Sequence, residues 1–360
     1  MMAKSKKLKS VGILTFTYGD NYGQRLQNLA MQDFLKEYFS EVYTIRQVEK
    51  KSPMLIHLKH VTKLLLQNQY FVLRMRRNHF EKFNDLYIRF YSNTIDAKNA
   101  MQFPKDNFDF FVCGSDQIWS PYSSDVNSTF FLTFVDKNKR IALAPSLASE
   151  DIPEVKLAEF KEYFKGFNYI STREYAGSNL VQELTGNKVE TLIDPTLLFD
   201  AKYWSKYEMI PKKMCRKKYA VCYFLGGSNE ISEIYEICNR DSLEVIDILN
   251  DKKYLSLGPS EFIYLIHNAQ KVFTDSYHGT IFSIIFHKPF ILFERKGTNI
   301  NMNSRFETLF SKLGISIKHS QGMLDEGKVD YTEIEKNISK ERGVFQSYLE
   351  KCLNFSNLEN

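Results

Sequence analysis

Residues 272–286, VFTDSYHGTIFSIIF, pass from a short apolar strand through a polar joint into an apolar helix. Asp275 or Ser276 can cap that helix, which places His278 and Gly279 in its first turn, directly beyond the carboxyl end of the strand. In parallel α/β proteins, ligand sites form at this edge of the sheet. We therefore predict that His278 acts on or binds a ligand; the alternative is a structural histidine.

The same alternation of short apolar strands and helices runs through the rest of the chain. It restarts at residue 219, after a stretch that contains prolines and a cluster of Lys and Arg. Strands that alternate with helices predict parallel sheets with helices on both faces. At 360 residues the chain is too long for one ordinary domain of roughly 100–200 residues. We predict two Rossmann-like α/β domains, 1–194 and 219–360, which face each other across a cleft and are joined by a linker at 195–218.

The composition is that of a globular protein, because 43% of the residues are hydrophobic and 25% are charged. The formal net charge of +5 is spread along the chain, which favours a small anionic ligand over nucleic acid. No window approaches the ~18 consecutive apolar residues of a membrane span, so we expect a cytoplasmic protein. The five cysteines show neither CxxC nor metal-binding spacing. We expect them to be reduced core residues, and we expect no metal site.

Residues 55–91 form one long helical pattern that mixes Leu, Phe and Tyr with Lys and Arg. A basic amphipathic helix of this kind can lie on an anionic membrane surface. The alternative is a helix packed against the first domain. The pattern leaves both interpretations open, and the first one would make the protein peripheral at the inner face of the membrane.

Two loops of the first half place small and polar residues beyond the carboxyl ends of predicted strands. Both loops can bind an anion, because glycine lets the main chain approach a ligand and a helix N-terminus offers unpaired N–H groups. The alternative for each loop is a simple turn. The candidate substrate-binding residues in them are Asn21, Gly23, Ser115, Asp116 and Gln117.

Cations follow other predicted strands at the same edge. Arg173 comes directly after a strand, where its guanidinium can bind a carboxylate or phosphate bidentately. The alternative is an ion pair with Glu174 or another neighbour. Two more cations follow the strand after His278. The predicted substrate-binding residues around that histidine are Asp275, Ser276, Gly279, Arg295 and Lys296.

Six segments, in this order, resemble a known family. They span about residues 10–310 and read YGDNYGQRLQNLAMQ, VCGSDQIW, LAPSLAS, ISTREYAG, IDPTLLF and FTDSYHGTIFSIIFHKPFILFE. The chain resembles the polysaccharide pyruvyl transferases. The resemblance implies a fold similar to the GT-B glycosyltransferases, with the acceptor on the first domain and the donor on the second. We also expect the last helix to pack back on the first domain.

The resemblance implies transfer of the enolpyruvyl unit of phosphoenolpyruvate to a sugar as a cyclic ketal, without a cofactor. By the family's motifs, the catalytic and donor-binding arginine falls on Arg173 and the catalytic histidine on His278. Histidine suits this reaction because it gives and takes protons near neutral pH. A further donor-binding cation falls on Arg295 or Lys296. The chain departs from many members at Ser276, where they have arginine, so part of the donor's charge is expected to be bound elsewhere.

The implied acceptor is a glycan of a capsule or exopolysaccharide, or its lipid-linked precursor. Two alternatives stay open. A GT-B glycosyltransferase that uses a nucleotide sugar would have the same architecture and a cationic cleft. A non-catalytic protein that binds sugar or phosphate would use Arg173 and His278 only to hold a ligand. The six segments favour the transferase because they are specific as a set.

Overall fold

In the computed structural model the described residues are 8–48, 69–214, 217–226, 231–295, 303–316 and 330–358. Their strands are β1 (Leu8–Leu14), β2 (Phe39–Thr44), β3 (Phe110–Cys113), β4 (Arg140–Ala142), β5 (Ile170–Thr172), β6 (Val189–Thr191), β7 (Tyr219–Tyr223), β8 (Glu244–Asp247), β9 (Lys271–Thr274) and β10 (Phe290–Leu292). Their helices are α1 (Tyr22–Leu35), α2 (Tyr70–Tyr87), α3 (Glu154–Lys165), α4 (Tyr175–Thr185), α5 (Ala201–Trp204), α6 (Ile231–Arg240), α7 (Pro259–Asn268), α8 (Tyr277–Ile285), α9 (Asn303–Leu313) and α10 (Tyr331–Leu358).

The first sheet has the strand order β2-β1-β3-β4, and its strands are parallel. Parallel strands covered by helices on both faces are apolar throughout, and all four residues of β3 are buried. The edge strand β2 differs, because Ser40 and Glu41 are exposed. β5 and β6 form a separate parallel pair. The hydroxyl of Ser171 connects this pair to the first sheet by donating to the carbonyl of Ala142.

The second sheet has the order β10-β9-β7-β8 and is also parallel. In both sheets the strand order reverses once, between β1 and β3 in the first and between β7 and β9 in the second. Ligands of doubly wound sheets bind beyond the carboxyl ends of the strands at such reversals. The fold therefore brings the loops after β1, β3, β7 and β9 to the places where a site is expected.

Aromatic packing joins α1 to the helices of the second sheet. Tyr22 stacks on Phe262 with ring centroids 4.5 Å apart and 12° between the planes. The Tyr22 hydroxyl donates to the carbonyl of Leu257 at 2.9 Å and accepts from Arg76 Nη1 at 2.7 Å. Such a ring pair stabilises by about 0.5–1.5 kcal/mol beyond the area it buries. These contacts hold the start of α1 against α7.

The last helix, α10, lies against residues that precede the second sheet in the sequence. Phe345 meets Phe34 of α1 edge to face, with ring centroids 5.2 Å apart. Arg342 Nε donates to the carbonyl of Leu197 at 2.7 Å, and Lys351 Nζ lies 4.4 Å from the ring centroid of Tyr169. The chain thus returns, after the second sheet is complete, to the part that precedes that sheet.

The predicted α/β class with parallel sheets is confirmed, and the boundaries of the two domains and the linker stay a prediction. The helix predicted over 55–91 is wrong at its end. α2 ends at Tyr87, and Ile88 is already extended, with ψ of 118°. The part of that prediction at 55–68 lies outside the described residues. No helix among the residues described here has the length and apolar composition needed to cross a bilayer.

Four of the five cysteines fall in the described part of the chain, and all four are buried thiols, as predicted: Cys113, Cys222, Cys238 and Cys352. Burial raises the pKa of the Cys113 and Cys222 thiols well above the usual value. The thiolate is the reactive form of cysteine. These side chains therefore act as core residues.

Candidate active site

Three ionisable side chains meet where β5, β6 and β9 end. Arg173 follows β5, Asp194 follows β6, and His278 lies in the first turn of α8 after β9. Asp194 Oδ2 accepts a hydrogen bond from Arg173 Nη1 at 2.6 Å and lies 3.5 Å from His278 Nε2. Asp194 Oδ1 accepts from the N–H and the hydroxyl of Thr196 at 3.0 and 2.7 Å. Asp194 thus links the arginine and the histidine that the sequence singles out.

The Arg173–Asp194 pair is fully buried, whereas 10% of the His278 side chain is exposed. Burial by itself would raise the pKa of Asp194, but His278 and Arg173 outweigh it and hold that pKa well below its usual range. Burial would lower the pKa of Arg173, but the charge of Asp194 outweighs it and raises that pKa. The pair is therefore charged at neutral pH, and it presents a fixed carboxylate to the imidazole.

The hydrogen-bonding capacity of this cluster is only partly used. Within the described chain, Arg173 Nε and Nη2 are buried and have no acceptor. His278 Nε2 likewise forms no hydrogen bond of normal geometry with any described residue. Buried donors that carry charge are costly to leave unpaired. The arrangement therefore indicates a ligand that brings oxygen acceptors.

Gly23, at the start of α1, lies against the imidazole of His278. A Cβ on residue 23 would be 2.0 Å from Nδ1 and 2.4 Å from Cγ, so this contact requires glycine. Asn21 caps the same helix, because its Oδ1 accepts from the N–H of Gln24 at 3.3 Å. Gly23 positions the histidine, and Asn21 fixes the turn that carries Gly23.

Ser115, in the loop after β3, joins the Arg173–Asp194 pair directly. Its Oγ accepts from Arg173 Nη1 at 3.3 Å and donates to Asp194 Oδ2 at 3.4 Å. Its N–H donates to the side-chain oxygen of Gln27 in α1 at 3.0 Å. Ser115 therefore bonds the charged pair to α1 and to the loop after β3, beside the place where the strand order of the first sheet reverses.

Asp116 and Gln117, in the same loop, do not contact the pair by hydrogen bonds. Asp116 has the left-handed φ of 58°, and its buried Oδ2 has no donor in the part of the chain that is described. The side-chain amide of Gln117 lies 2.6 Å from Nη1 of Arg305. Arg305 belongs to α9 and is 4% exposed. Through Gln117, the loop after β3 thus contacts a second buried arginine, Arg305.

Asp275 and Arg295 hold the ends of the second sheet together. The carboxylate of Asp275 accepts from the N–H groups of Leu225 and Gly226, both at 2.7 Å. Arg295 Nη2 donates to the carbonyl of Asp275 at 3.1 Å, and its Nε lies 3.6 Å from Asp275 Oδ2. These bonds tie the loops after β7, β9 and β10 to one another. A substrate-binding role for either residue stays a prediction.

Ser276 and Gly279 shape the turn that carries His278. Ser276 is the N-cap of α8, and its Oγ accepts from the N–H of Gly279 at 3.3 Å. A Cβ on residue 279 would be 2.6 Å from Thr274 Oγ1. Both residues therefore act on the geometry of the joint. Lys296 lies outside the described residues, so the choice between it and Arg295 is unchanged.

Sequence reasoning missed Asp194 and Arg305. Arg173 pairs with Asp194 and not with Glu174, because Glu174 Oε1 instead accepts from the N–H groups of Leu147 and Ala148 at 2.7 and 3.0 Å. A signal for Asp194 was present: the segment IDPTLLF places an aspartate three residues after the end of β6, at the edge where ligands bind. For Arg305 no local pattern existed, because only the packing of α9 brings it to the site.

The side chains gathered here suit anion binding and proton transfer. Guanidinium groups bind phosphate and carboxylate oxygens through paired N–H donors. An imidazole beside a carboxylate is the usual arrangement for a group that exchanges protons near neutral pH. Across the described ranges, no group of three or more His, Cys, Asp or Glu side chains could hold a metal ion.

The fold was compared with those of solved structures. A protein from Listeria monocytogenes described as a UDP-N-acetylglucosamine 2-epimerase has a TM-score of 0.50 at 10% identity, over 98% of this chain and 91% of that one. The UDP-GlcNAc 2-epimerase of Neisseria meningitidis gives 0.47 at 11% identity, over 98% and 94%. The glycosyltransferase SnogD of Streptomyces nogalater gives 0.42 at 10% identity, over 99% and 100%. At these identities the similarity concerns the fold alone. The Listeria structure, with the parallel sheets of this chain, confirms the predicted GT-B-like fold class.

The sequence comparison is more specific than the comparison of folds. No curated protein sequence matches the chain. A family model for polysaccharide pyruvyl transferases matches residues 21–297, which is well over half of the 360 residues. The matched range contains Arg173, Asp194 and His278, the three side chains that meet at the site. The chain belongs to the polysaccharide pyruvyl transferase family.

Proposed function

We propose that the protein transfers the enolpyruvyl group of phosphoenolpyruvate to a sugar of a surface polysaccharide or its lipid-linked precursor, forming a pyruvate ketal. The observation that carries this proposal is the contact of His278 with the buried Arg173–Asp194 pair. In that pair, Arg173 keeps two nitrogens, Nε and Nη2, that donate to no described residue. Phosphoenolpyruvate brings a carboxylate and a phosphate, whose oxygens match a guanidinium. The proposed reaction needs no cofactor.

In the proposed reaction, His278 gives a proton to the methylene carbon of the donor, which makes the adjacent carbon C2 electrophilic. One sugar hydroxyl adds to C2; the bond between C2 and the phosphate oxygen then breaks, and a second hydroxyl adds to C2. One hydroxyl proton leaves with the phosphate, and the other returns to His278. Arg173 binds the anionic donor and stabilises the charge on the leaving phosphate. Asp194 orients the imidazole and balances its positive charge.

We infer that the acceptor binds beside the loop that follows β1. A cavity of about 740 Å³ lies there, at the carboxyl ends of β1 and β2, and Tyr18, Asp20, Asp96 and Asn127 contribute to its lining. Its volume falls within the roughly 300–1,000 Å³ of ordinary ligand pockets. An aromatic ring among polar side chains is suited to a sugar, which has both apolar and hydroxylated faces. The same loop continues to Gly23 and hence to His278.

We also propose that the protein contacts an anionic membrane surface through a groove between α2 and residues 209–213. The groove has a volume of about 510 Å³, and Met75, Leu86 and Ile210 on it are 52%, 57% and 65% exposed. Exposed apolar side chains next to clustered lysines favour an interface that is both apolar and negatively charged. The lysines that line the groove are Lys82, Lys212, Lys213, Lys252 and Lys253. This surface would bring the protein to a lipid-linked acceptor.

The test is to incubate the purified protein with phosphoenolpyruvate and candidate glycans, and to measure phosphate release and the mass of the glycan. Pyruvyl transfer predicts one phosphate released for each ketal formed. A glycosyltransferase would instead consume UDP- or GDP-sugars and leave phosphoenolpyruvate unchanged. A binding protein would be stabilised by phosphoenolpyruvate without turnover of any of these substrates. Either of the last two results would contradict the proposal.

A further inference from the structure

Two arginines from distant parts of the chain meet on one tyrosine ring. Arg173 Cζ lies 4.7 Å from the ring centroid of Tyr277, and Arg305 Cζ lies 5.4 Å from the same centroid. Arg173 follows β5, whereas Arg305 lies on α9, beyond the second sheet. Both are almost fully buried, with 1% and 4% of their surface exposed. Like charges are rarely brought together inside a protein unless something compensates them.

Arg305 has little compensation for its charge in the described structure. Its Nη atoms face the amide of Gln117, which is neutral, and its Nε is buried without an acceptor among the described residues. Burial, and next the charge of Arg173, lower the pKa of Arg305 to about 10. The nearby carboxylate of Glu174 opposes this shift. Its Oε1 accepts from two main-chain N–H groups, its buried Oε2 accepts from no described residue, and neither oxygen accepts a hydrogen bond from Arg305.

The unused donors of the two arginines complement each other. Arg173 has Nε and Nη2 available, and Arg305 has Nε, counted over the residues that the structure describes. A phosphate or carboxylate group has enough oxygen lone pairs to accept from both guanidiniums and would neutralise their repulsion. Ser276, next to Tyr277, is a neutral helix cap, and the second guanidinium over this ring comes from α9.

We propose that Arg173 and Arg305 together bind one anionic group, a phosphate or a carboxylate, over the ring of Tyr277. The assignment of that anion to phosphoenolpyruvate rests on the proposed function. The binding atoms are buried, so the anion reaches them when α9 and the loop after β5 separate. Tyr175 N–H donates to Thr308 Oγ1 at 3.0 Å, and this bond is one of those that such a movement breaks. Arg305 is then a substrate-binding residue, and it lies on α9, the helix that follows the last strand of the second sheet.

A binding role and a structural role for Arg305 predict opposite effects of Arg305→Met. If the arginine is held for an absent anion, methionine removes a buried, uncompensated charge, and the protein without ligand unfolds at the same or a higher temperature. If the arginine supports the fold, its removal lowers the unfolding temperature. Failure of the R305M protein to fold would therefore also contradict the proposal.

The experiment compares thermal unfolding of the full-length wild type, R305M, R305K and the control R140M, each titrated with inorganic phosphate and with phosphoenolpyruvate. Arg140 is a suitable control because burial lowers its pKa too. It is the first residue of β4, at the amino end of the strand and away from the carboxyl ends where the site lies, and it donates to the carbonyl of Val135. We expect both anions to stabilise the wild type and R140M. We expect R305M to bind them at least about tenfold more weakly, and R305K to be intermediate because lysine lacks the planar fork. Anion affinities for R305M within twofold of wild type would overturn the proposal.

The same set of proteins separates this inference from the proposed function. If phosphate binding depends on Arg305 but no glycan is pyruvylated, the proposed anion site is supported and the proposed pyruvyl transfer is contradicted. If pyruvyl transfer occurs and R305M has the wild-type KM for phosphoenolpyruvate, the proposed function is supported and the proposed anion site is contradicted.

Discussion

Gly23 and His278 are in direct contact across the two halves of the chain, since a Cβ on residue 23 would lie 2.0 Å from the imidazole Nδ1. We expect Gly23→Ala to push the imidazole away from Asp194 while leaving the fold intact. A misplacement of about 1 Å can cost on the order of 100-fold in rate, so we predict a loss of that size in kcat. Steady-state kinetics with phosphoenolpyruvate and an accepted glycan measure it.

The matched control for Gly23→Ala is Gly343→Ala. Gly343 lies in α10, and a Cβ there would have no atom within 4 Å. Alanine in place of a helical glycine stabilises by about 0.5–1 kcal/mol, so this variant should keep full activity and unfold at a slightly higher temperature. Equal activity of the two variants would show that the position of His278 does not depend on Gly23.

Asp194→Asn should reduce stability as well as activity, because it leaves the buried charge of Arg173 without its partner. Breaking a buried pair on one side costs about 3–5 kcal/mol. The pKa of Asp194 in the folded protein is held below the ordinary value of 3.8. Its ionised form therefore stabilises the fold above that pH, and this contribution is lost as the pH falls towards the lower, folded-state pKa.

The measurement for Asp194→Asn is urea unfolding at neutral pH and at several values below 3.8. The wild type should lose free energy of unfolding more steeply than the variant in the acidic range, so that the two converge. Glu162→Gln is the control, because Glu162 forms an exposed ion pair with Lys165 at 2.8 Å and its loss should cost little. A variant of Asp194 no less stable than E162Q at neutral pH would argue against a charged, buried pair.

The groove between α2 and residues 209–213 predicts binding to vesicles that contain anionic lipid. The double substitution of Lys212 and Lys213 to Glu should abolish co-sedimentation with such vesicles, because it turns attraction into repulsion. The same change at the exposed Lys336 and Lys340 of α10 should leave it unaffected. Wild-type protein that stays in the supernatant, or that binds neutral and anionic vesicles equally, would remove the membrane contact from the proposal.

Much of the fold was predictable because its parallel strands are short, buried and apolar, and helices follow them. β2 was not predicted, because it is an edge strand and its exposed Ser40 and Glu41 interrupt the apolar pattern. The helix predicted over 55–91 also extended past Tyr87, where α2 ends. Periodicity indicates that a helix is present but does not show where its last turn ends. Helix ends are set by capping and tertiary contacts that hydrophobic periodicity does not contain.

The site residues also fall into those that the sequence predicts and those that only the packing shows. His278, Ser115 and Arg173 lie within four residues of the end of a strand, so their placement at one edge of the sheets could be argued from order alone. Asp194 could have been included, because it too follows a strand, but the proline after it was taken as the start of a linker. Arg305 had no such signal: its distance from Arg173 depends on how α9 packs, and that is a tertiary property.

The central claim is that His278, held between Gly23 and the Arg173–Asp194 pair, transfers the proton that starts ketal formation. The most direct test compares wild type and His278→Gln, with phosphate release from phosphoenolpyruvate and the mass of the glycan product followed together. The claim predicts a ketal in the wild-type reaction and a loss of about 100-fold or more in the variant, with unchanged thermal unfolding. A variant that forms the ketal at nearly the wild-type rate, or a wild type that forms none with any glycan, would contradict it.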